Sequence, residues 1–277
     1  MKKGKIFYEI LLFIVALFYL SPIYIMLVNS FKNRAELYEN VLAWPSNFSF
    51  EYYMAAIEKM NFFKAFGNSL YITVLSVIFI VILSSMTAWM LARTNNLLSK
   101  IIFMTFIATM LIPFQTIMMP LMQEMNWIMK TTGIPMLNTR GGLIFMNIGF
   151  NTSMAVFLYH GFIKSIPLSL EEAAMIDGAT KFGIFWRIIF PMLKPITVTV
   201  MILNVISIWN DYLLPSLTLT DKDLRTIPLS TFYFFGEFTI QWNQAMAGLV
   251  LTIIPVVIFY VFAQKYILKG IADGAIK

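Results

Sequence analysis

Residues 68–92 read NSLYITVLSVIFIVILSSMTAWMLA, a run without a single Asp, Glu, Lys, Arg or His. A helix needs about 20 mostly apolar residues to cross a hydrocarbon core about 30 Å thick. This run is long enough. Five other segments read the same way, at about 6–28, 101–121, 143–163, 193–214 and 247–266. Inside lipid every backbone N–H and C=O must find its partner within the segment, so these are helices. The ten-residue alternation of a membrane strand is absent. The expected fold is an all-α integral membrane protein with six transmembrane helices.

Composition agrees. Hydrophobic residues make up 59% of the 277 and charged residues 12%, against roughly 25% charged in soluble domains. A soluble protein so poor in charge would expose aggregating patches. The net charge of +6 does not point to nucleic acid, because the basic residues form no continuous stripe. Without cysteine there are no disulfides or thiolate ligands, and His160 is the one histidine, so no His or Cys metal cluster is expected. Lys2, Lys3 and Lys5 precede an apolar run that reaches about Val28. That exceeds the roughly 7–15 residues of a signal core, so a retained first span is expected.

With six spans the termini share a side. That side would carry segments 1–5, 93–100, 164–192 and the tail from Lys265. With Lys194 at the edge of the fifth span, it holds 12 of the 20 Lys and Arg in about 55 residues. The other side, 29–67, 122–142 and 215–246, holds 8 in about 90. The positive-inside rule then places both termini in the cytoplasm of a multi-pass plasma-membrane protein. Trp44, Tyr52, Tyr53, Trp127 and Trp242 beside the outer loops, and Trp89 and Trp186 near the inner boundary, suit interfacial belts. No linker or repeat interrupts the chain, so 1–277 reads as one membrane domain.

Ion-coupled carriers commonly bury ionisable groups near the midplane. Here Glu9 and His160 fall near cytoplasmic ends and Asp211 near an outer end, so the energy for transport is expected from elsewhere. Milder polar groups remain. Asn204, Ser207 and Asp211 share a face of the fifth span, and Asn210 lies beside them. Asn147 and Asn151 share a face of the fourth, Ser69, Thr73 and Ser76 of the second, and Gln115 follows Pro113 in the third. They suit either a path for a neutral polar solute or interhelical hydrogen bonding.

Segment 164–191, between the fourth and fifth spans, is Lys-Ser-Ile-Pro-Leu-Ser-Leu-Glu-Glu-Ala-Ala-Met-Ile-Asp-Gly-Ala-Thr-Lys-Phe-Gly-Ile-Phe-Trp-Arg-Ile-Ile-Phe-Pro. Pro167 precedes a helix start, and Ser169 with Glu172 has the spacing of a capping box. Leu170, Ala173, Ala174 and Asp177 would follow along one side, and Gly178 suits the left-handed end of a helix. A short cytoplasmic helix, a turn and an amphipathic stretch ending at Pro191 are expected.

Glu172, Ala173, Ala174, Gly178, Ile188 and Pro191 stand at the spacing E-A-A-x3-G-x9-I-x-L-P. The segment thus resembles the coupling loop of binding-protein-dependent ABC permeases, with Phe190 in place of the usual Leu. The resemblance implies a loop that docks on an ATP-hydrolysing subunit, together with Glu171 and Asp177. Glu172 would engage that subunit, Ala173 and Ala174 would permit close approach, and Gly178 would set the bend. The chain has no G-x-x-x-x-G-K-[ST] phosphate loop. ATP and Mg would be held by the partner ATPases, with no cofactor or catalytic residue here.

Trp209-Asn210-Asp211-Tyr212, Arg225-Thr226-Ile227-Pro228-Leu229 and the tail from Gln264 through Lys269-Gly270 to Gly274-Ala275-Ile276-Lys277 resemble the carbohydrate branch. That branch implies an importer for maltodextrins, raffinose-type galactosides or mixed oligosaccharides. Its partners would be a second permease, two ATPase subunits and an extracellular solute-binding protein. The loop at about 215–246 would face the binding protein, and the tail the ATPases. Gln115, Asn147, Asn151, Asn204, Ser207, Asn210 and Asp211 are then the candidate pathway. A permease for amino acids, peptides or glycerol phosphate would share the coupling loop. A secondary carrier would fit the span count but predicts midplane charges.

Overall fold

The computed structural model describes residues 2–234 and 241–275, and side chains over 5–232, 234 and 241–265. Residues 235–240 of the 215–246 segment, Ile276, Lys277 and the side chains of Lys269 and Ala275 lie outside the described residues. Among the described residues there is no strand.

Four continuous helices are long and apolar enough to cross a membrane. They are α1 (Lys2–Asn29), α4 (Phe62–Arg93), α7 (Arg140–Ile163) and α14 (Trp242–Ala275). Between them lie α2 (Arg34–Glu39), α3 (Glu51–Lys59), α5 (Leu97–Thr109), α6 (Phe114–Thr132), α8 (Ser169–Ile176), α9 (Lys181–Ile184), α10 (Phe190–Met192), α11 (Lys194–Trp209), α12 (Leu213–Thr218) and α13 (Ile227–Thr231). Two bent pairs pass the same length and apolarity test when each is taken together, giving up to six spans. One is α5 with α6, bent by 108°, and the other is Lys181–Met192 with α11, bent by 76°.

The segment 101–121 is therefore not one straight helix. Pro113 has no N–H to donate, and its ring disfavours helical geometry at Ile112. The chain leaves α5 at Met110 and restarts with Pro113 as the N-cap of α6. The stretch ending at Pro191 has a related irregularity. Residues Phe185–Ile189 form a π turn, closed by the Phe190 N–H on the Phe185 carbonyl. The wider turn falls just before a proline whose ring would crowd the carbonyl of residue i−4, Arg187.

The chain divides into two compact units, residues 1–65 with 227–258, and residues 66–226 with 259–277. In the first, α1 is exposed from Lys5 to Leu20 and carries apolar side chains on every face. A helix that is hydrophobic all round suits lipid or another apolar partner. Its other end is fixed: Met26, Val28, Asn29 and Ser30 are buried, and the Ser30 and Tyr53 hydroxyls lie 2.6 Å apart. Lys32, also buried, donates from Nζ to the Asn40 carbonyl at 2.8 Å. Burial holds its ammonium below the usual lysine range, opposed by the nearby Glu36 carboxylate. Ala56, Met60, Phe234, Ala245 and Ala247 form the core, flanked by Tyr52, Tyr53, Phe62 and Leu251. Gly248 lets α14 approach Phe234, since a Cβ there would stand 2.6 Å from the ring.

In the second unit, α7 is the central element. Leu143, Ala155, Val156, Tyr159 and Ile163 along it are fully buried. Thr109 of α5 and Ser153 of α7 share a hydroxyl hydrogen bond of 2.8 Å. His160 is buried and stacks on Phe103 with ring centroids 3.7 Å apart.

Candidate functional site

The break between α5 and α6 and the bend from α11 into α12 meet at one cavity. It has a volume of about 320 Å³ and a wall built from four elements. The first turn of α6 gives Phe114 and Gln115, and α7 gives Asn147, Phe150 and Asn151. The last turn of α11 gives Ser207 and Ile208, and the bend with α12 gives Asp211, Leu213 and Leu214. Irregular backbone at membrane depth is tolerated where it is buried in protein or lines a cavity.

The polar groups are fixed by local bonds. Asn151 donates from Nδ2 to the Asn147 carbonyl one turn back at 2.9 Å. Its Oδ1 lies 3.3 Å from the Ser207 hydroxyl, which joins α7 to α11. Asp211 accepts the amide protons of Leu213 and Leu214 on Oδ1, at 3.0 and 3.3 Å, which fixes its carboxyl group at the cavity wall beside the entry to α12. Phe114 and Phe150 stand edge to face with centroids 5.3 Å apart. Amides, a hydroxyl, a carboxylate and aromatic rings around a small volume can bind a polyhydroxylated solute by hydrogen bonds and ring contact.

Of the seven pathway candidates, Gln115, Asn147, Asn151, Ser207 and Asp211 line this cavity. Asn204 and Asn210 do not. Asn204 is buried and donates to the Val200 carbonyl, and Asn210 is exposed and donates to the Ile206 carbonyl. Ser69, Thr73 and Ser76 are buried in α4. The rings of Phe114 and Phe150 escaped the sequence reading, although Phe150 follows Asn147 by one helical turn.

The second region is segment 164–191. The α8 helix begins without the expected capping box. Its N-cap is Leu168, which makes no side-chain cap, and Ser169 is already helical. Its end is capped by backbone alone. The Ala179 N–H bonds to the Ala174 carbonyl at 2.9 Å and the Gly178 N–H to Met175 at 3.0 Å. This is the Schellman pattern, and it needs the positive φ of 83° that Gly178 adopts.

The two glutamates of α8 face opposite ways. Glu172 is exposed, with Leu170, Ala173 and Asp177. Ala174, expected on that side, is buried. Glu171 is buried too, 4% exposed, and accepts from Trp89 Nε1 at 3.0 Å and from Arg93 Nε at 2.7 Å. Arg93 Nη2 also donates to the Ile166 carbonyl at 2.9 Å. Ile188 is half-buried and Pro191 exposed. Met175, Ile176 and Phe182 are exposed apolar side chains around the turn, Ile176 at 86%. Among the described residues no group of three His, Cys, Asp or Glu could hold a metal ion.

An all-helical, multi-pass fold with helices broken at a polar cavity is the architecture of a solute permease. The chain belongs to the family described as binding-protein-dependent transport system inner membrane component, whose model matches residues 80–273. It is 48% identical over 264 residues to the "Probable starch degradation products transport system permease protein AmyC" of Thermoanaerobacterium thermosulfurigenes, covering 95% of this chain and 94% of the relative. It is 36% identical over 265 residues to the "Melibiose/raffinose/stachyose import permease protein MelC" of Bacillus subtilis (strain 168), covering 95% and 94%. Its fold is similar to that of a chain in the crystal structure of a bacterial ABC transporter involved in the import of the acidic polysaccharide alginate. The TM-score is 0.81 at 22% identity, over 96% of each chain.

Proposed function

We propose that this permease forms half of the pathway of an ABC importer for oligosaccharides. The observation that carries the sugar reading is the cavity, where Asn147, Asn151, Ser207 and Asp211 surround a volume edged by Phe114 and Phe150. Its chemistry suits hydroxyl groups, and the relatives at 48% and 36% identity are named for starch products and for melibiose, raffinose and stachyose. The two bent pairs each count as one span. Both termini lie in the cytoplasm, where Lys and Arg are concentrated. Segment 164–191 then docks on one of two partner ATPases, which bind ATP and Mg. The exposed Glu172, Ala173 and Asp177 offer the docking face, and Gly178 holds the turn. A second permease completes the pathway, and an extracellular solute-binding protein delivers sugar to the outer loops.

The deciding experiment is ATP-dependent uptake of labelled oligosaccharides by cells carrying the intact system. It compares the native chain with Glu172→Lys and Gly178→Asp variants at equal membrane abundance. The expected result is saturable oligosaccharide uptake that Glu172→Lys abolishes and that Gly178→Asp lowers through the charge it adds to the docking turn. Native uptake of amino acids, peptides or glycerol phosphate instead of sugars would overturn the substrate class. Full uptake in both variants would overturn the coupling role of the loop.

A further inference from the structure

Helix α4 is fastened at both ends. At its C-terminal end Trp89 and Arg93 grip Glu171 in α8, and Arg93 also holds the Ile166 carbonyl just before α8. The Trp89 ring packs 5.5 Å from Phe185, just beyond the turn. One end of α4 thus touches the segment before, within and after the α8 turn. At its other end Asn68, 3% exposed, donates from Nδ2 to the carbonyls of Asp223 and Arg225, both at 2.9 Å. Between Asn68 and Arg93 the helix is unbroken, a length of roughly 37 Å at 1.5 Å per residue.

These are directional contacts. The guanidinium is planar, and its two bonds to Glu171 and Ile166 fix its orientation. Burial shields the ion pair from the screening that weakens surface charges. Glu171 therefore cannot serve as a docking residue, although its neighbour Glu172 can. A shift of α8 must move Arg93, break its bonds, or rotate α4 with it.

We propose that α4 is a connecting rod, which links displacement of α8 to the 223–225 segment through Arg93–Glu171 at one end and Asn68 at the other. Glu171 and Asn68 are positioning residues of the transport cycle. This rests on reading α8 as the coupling helix. It adds that one permease helix carries the signal between the ATPase side and the segment that precedes α13.

The test is the number of oligosaccharides imported per ATP hydrolysed, in the complete importer reconstituted with its binding protein and normalised to assembled complex. Glu171→Gln and Asn68→Leu should each lower this ratio about tenfold, the size of an ordinary coupling between sites. Because the two clamps act in series, the double variant should fall no further than either single one. A purely structural role would lower uptake and hydrolysis together through lost complex and leave the ratio unchanged. If Glu171→Gln fails to assemble, the pair Arg93→Met with Glu171→Met removes the buried charges while keeping apolar bulk. That pair should assemble and still show the lowered ratio. A native ratio in the Met pair, or losses that multiply in the double variant, would overturn the rod. Glu172→Lys separates the two readings: if it abolishes uptake while the Met pair keeps a native ratio, only the rod fails.

Discussion

Tyr159 of α7 is fully buried and donates its hydroxyl proton to Thr197 Oγ1 of α11 at 3.0 Å. The bond joins the two helices that carry Asn151 and Ser207, whose side chains also meet, about two turns back along α7 and nearly three turns on along α11. Removing the hydroxyl with Tyr159→Phe should cost about 1 kcal/mol, the usual net value of one hydrogen bond. The purified complex should then unfold a few degrees lower, and Thr197→Val should do the same. Because one bond is lost in either case, the double variant should be no worse than the single ones. Additive losses would show that the two groups act separately.

The cavity makes a second prediction. Asn151→Leu removes an amide that faces both the volume and Ser207, and should raise the half-saturating oligosaccharide concentration about tenfold. Phe150→Ala should raise it several-fold through the lost ring contact, with partial recovery in Phe150→Tyr. Asn210→Ala, outside the cavity and bonded within its own helix, should leave it unchanged. Uptake titrations at matched abundance decide. Equal effects at Asn151 and Asn210 would remove the cavity from the pathway.

Gly178 supports a third prediction. A Cβ there would meet no atom within 4 Å, yet the backbone sits at φ +83°. The penalty of Gly178→Ala is conformational, about 1 kcal/mol. Gly178→Asn should be milder, because Asn tolerates the left-handed region. Uptake should rank Gly, Asn, Ala, Val. An Ala variant better than Asn would mean that side-chain size, not backbone geometry, limits this turn.

Much of the fold was legible from long charge-free runs, because α1, α4, α7 and α14 each need only a local pattern. Segment 101–121 was harder. Its apolar run continues through Pro113, and hydrophobicity alone cannot tell a straight span from one bent at a missing N–H. The capping-box spacing at Ser169 and Glu172 was a local signal overruled by tertiary contacts. Arg93 and Trp89 draw Glu171 inward, and the helix start follows. Those partners lie 78 and 82 residues away in the chain, beyond the reach of any periodicity. For the cavity, i, i+4 spacing related Asn147 to Asn151, but only the folded bend at α12 brings Asp211 near Gln115.

The π turn at Phe185–Ile189 holds one residue more than an α-helical turn needs. Deleting one residue there would let the turn close into α register, with everything downstream keeping its phase. The same deletion inside α8 would rotate Glu171 away from Arg93 and swing Glu172 inward. The segment after the turn therefore has a built-in tolerance for length change that α8 lacks. A scan of single-residue deletions across 169–192, read by membrane abundance, should find its permissive window at 185–189. Equal damage across both stretches would show that the extra residue is fixed in place.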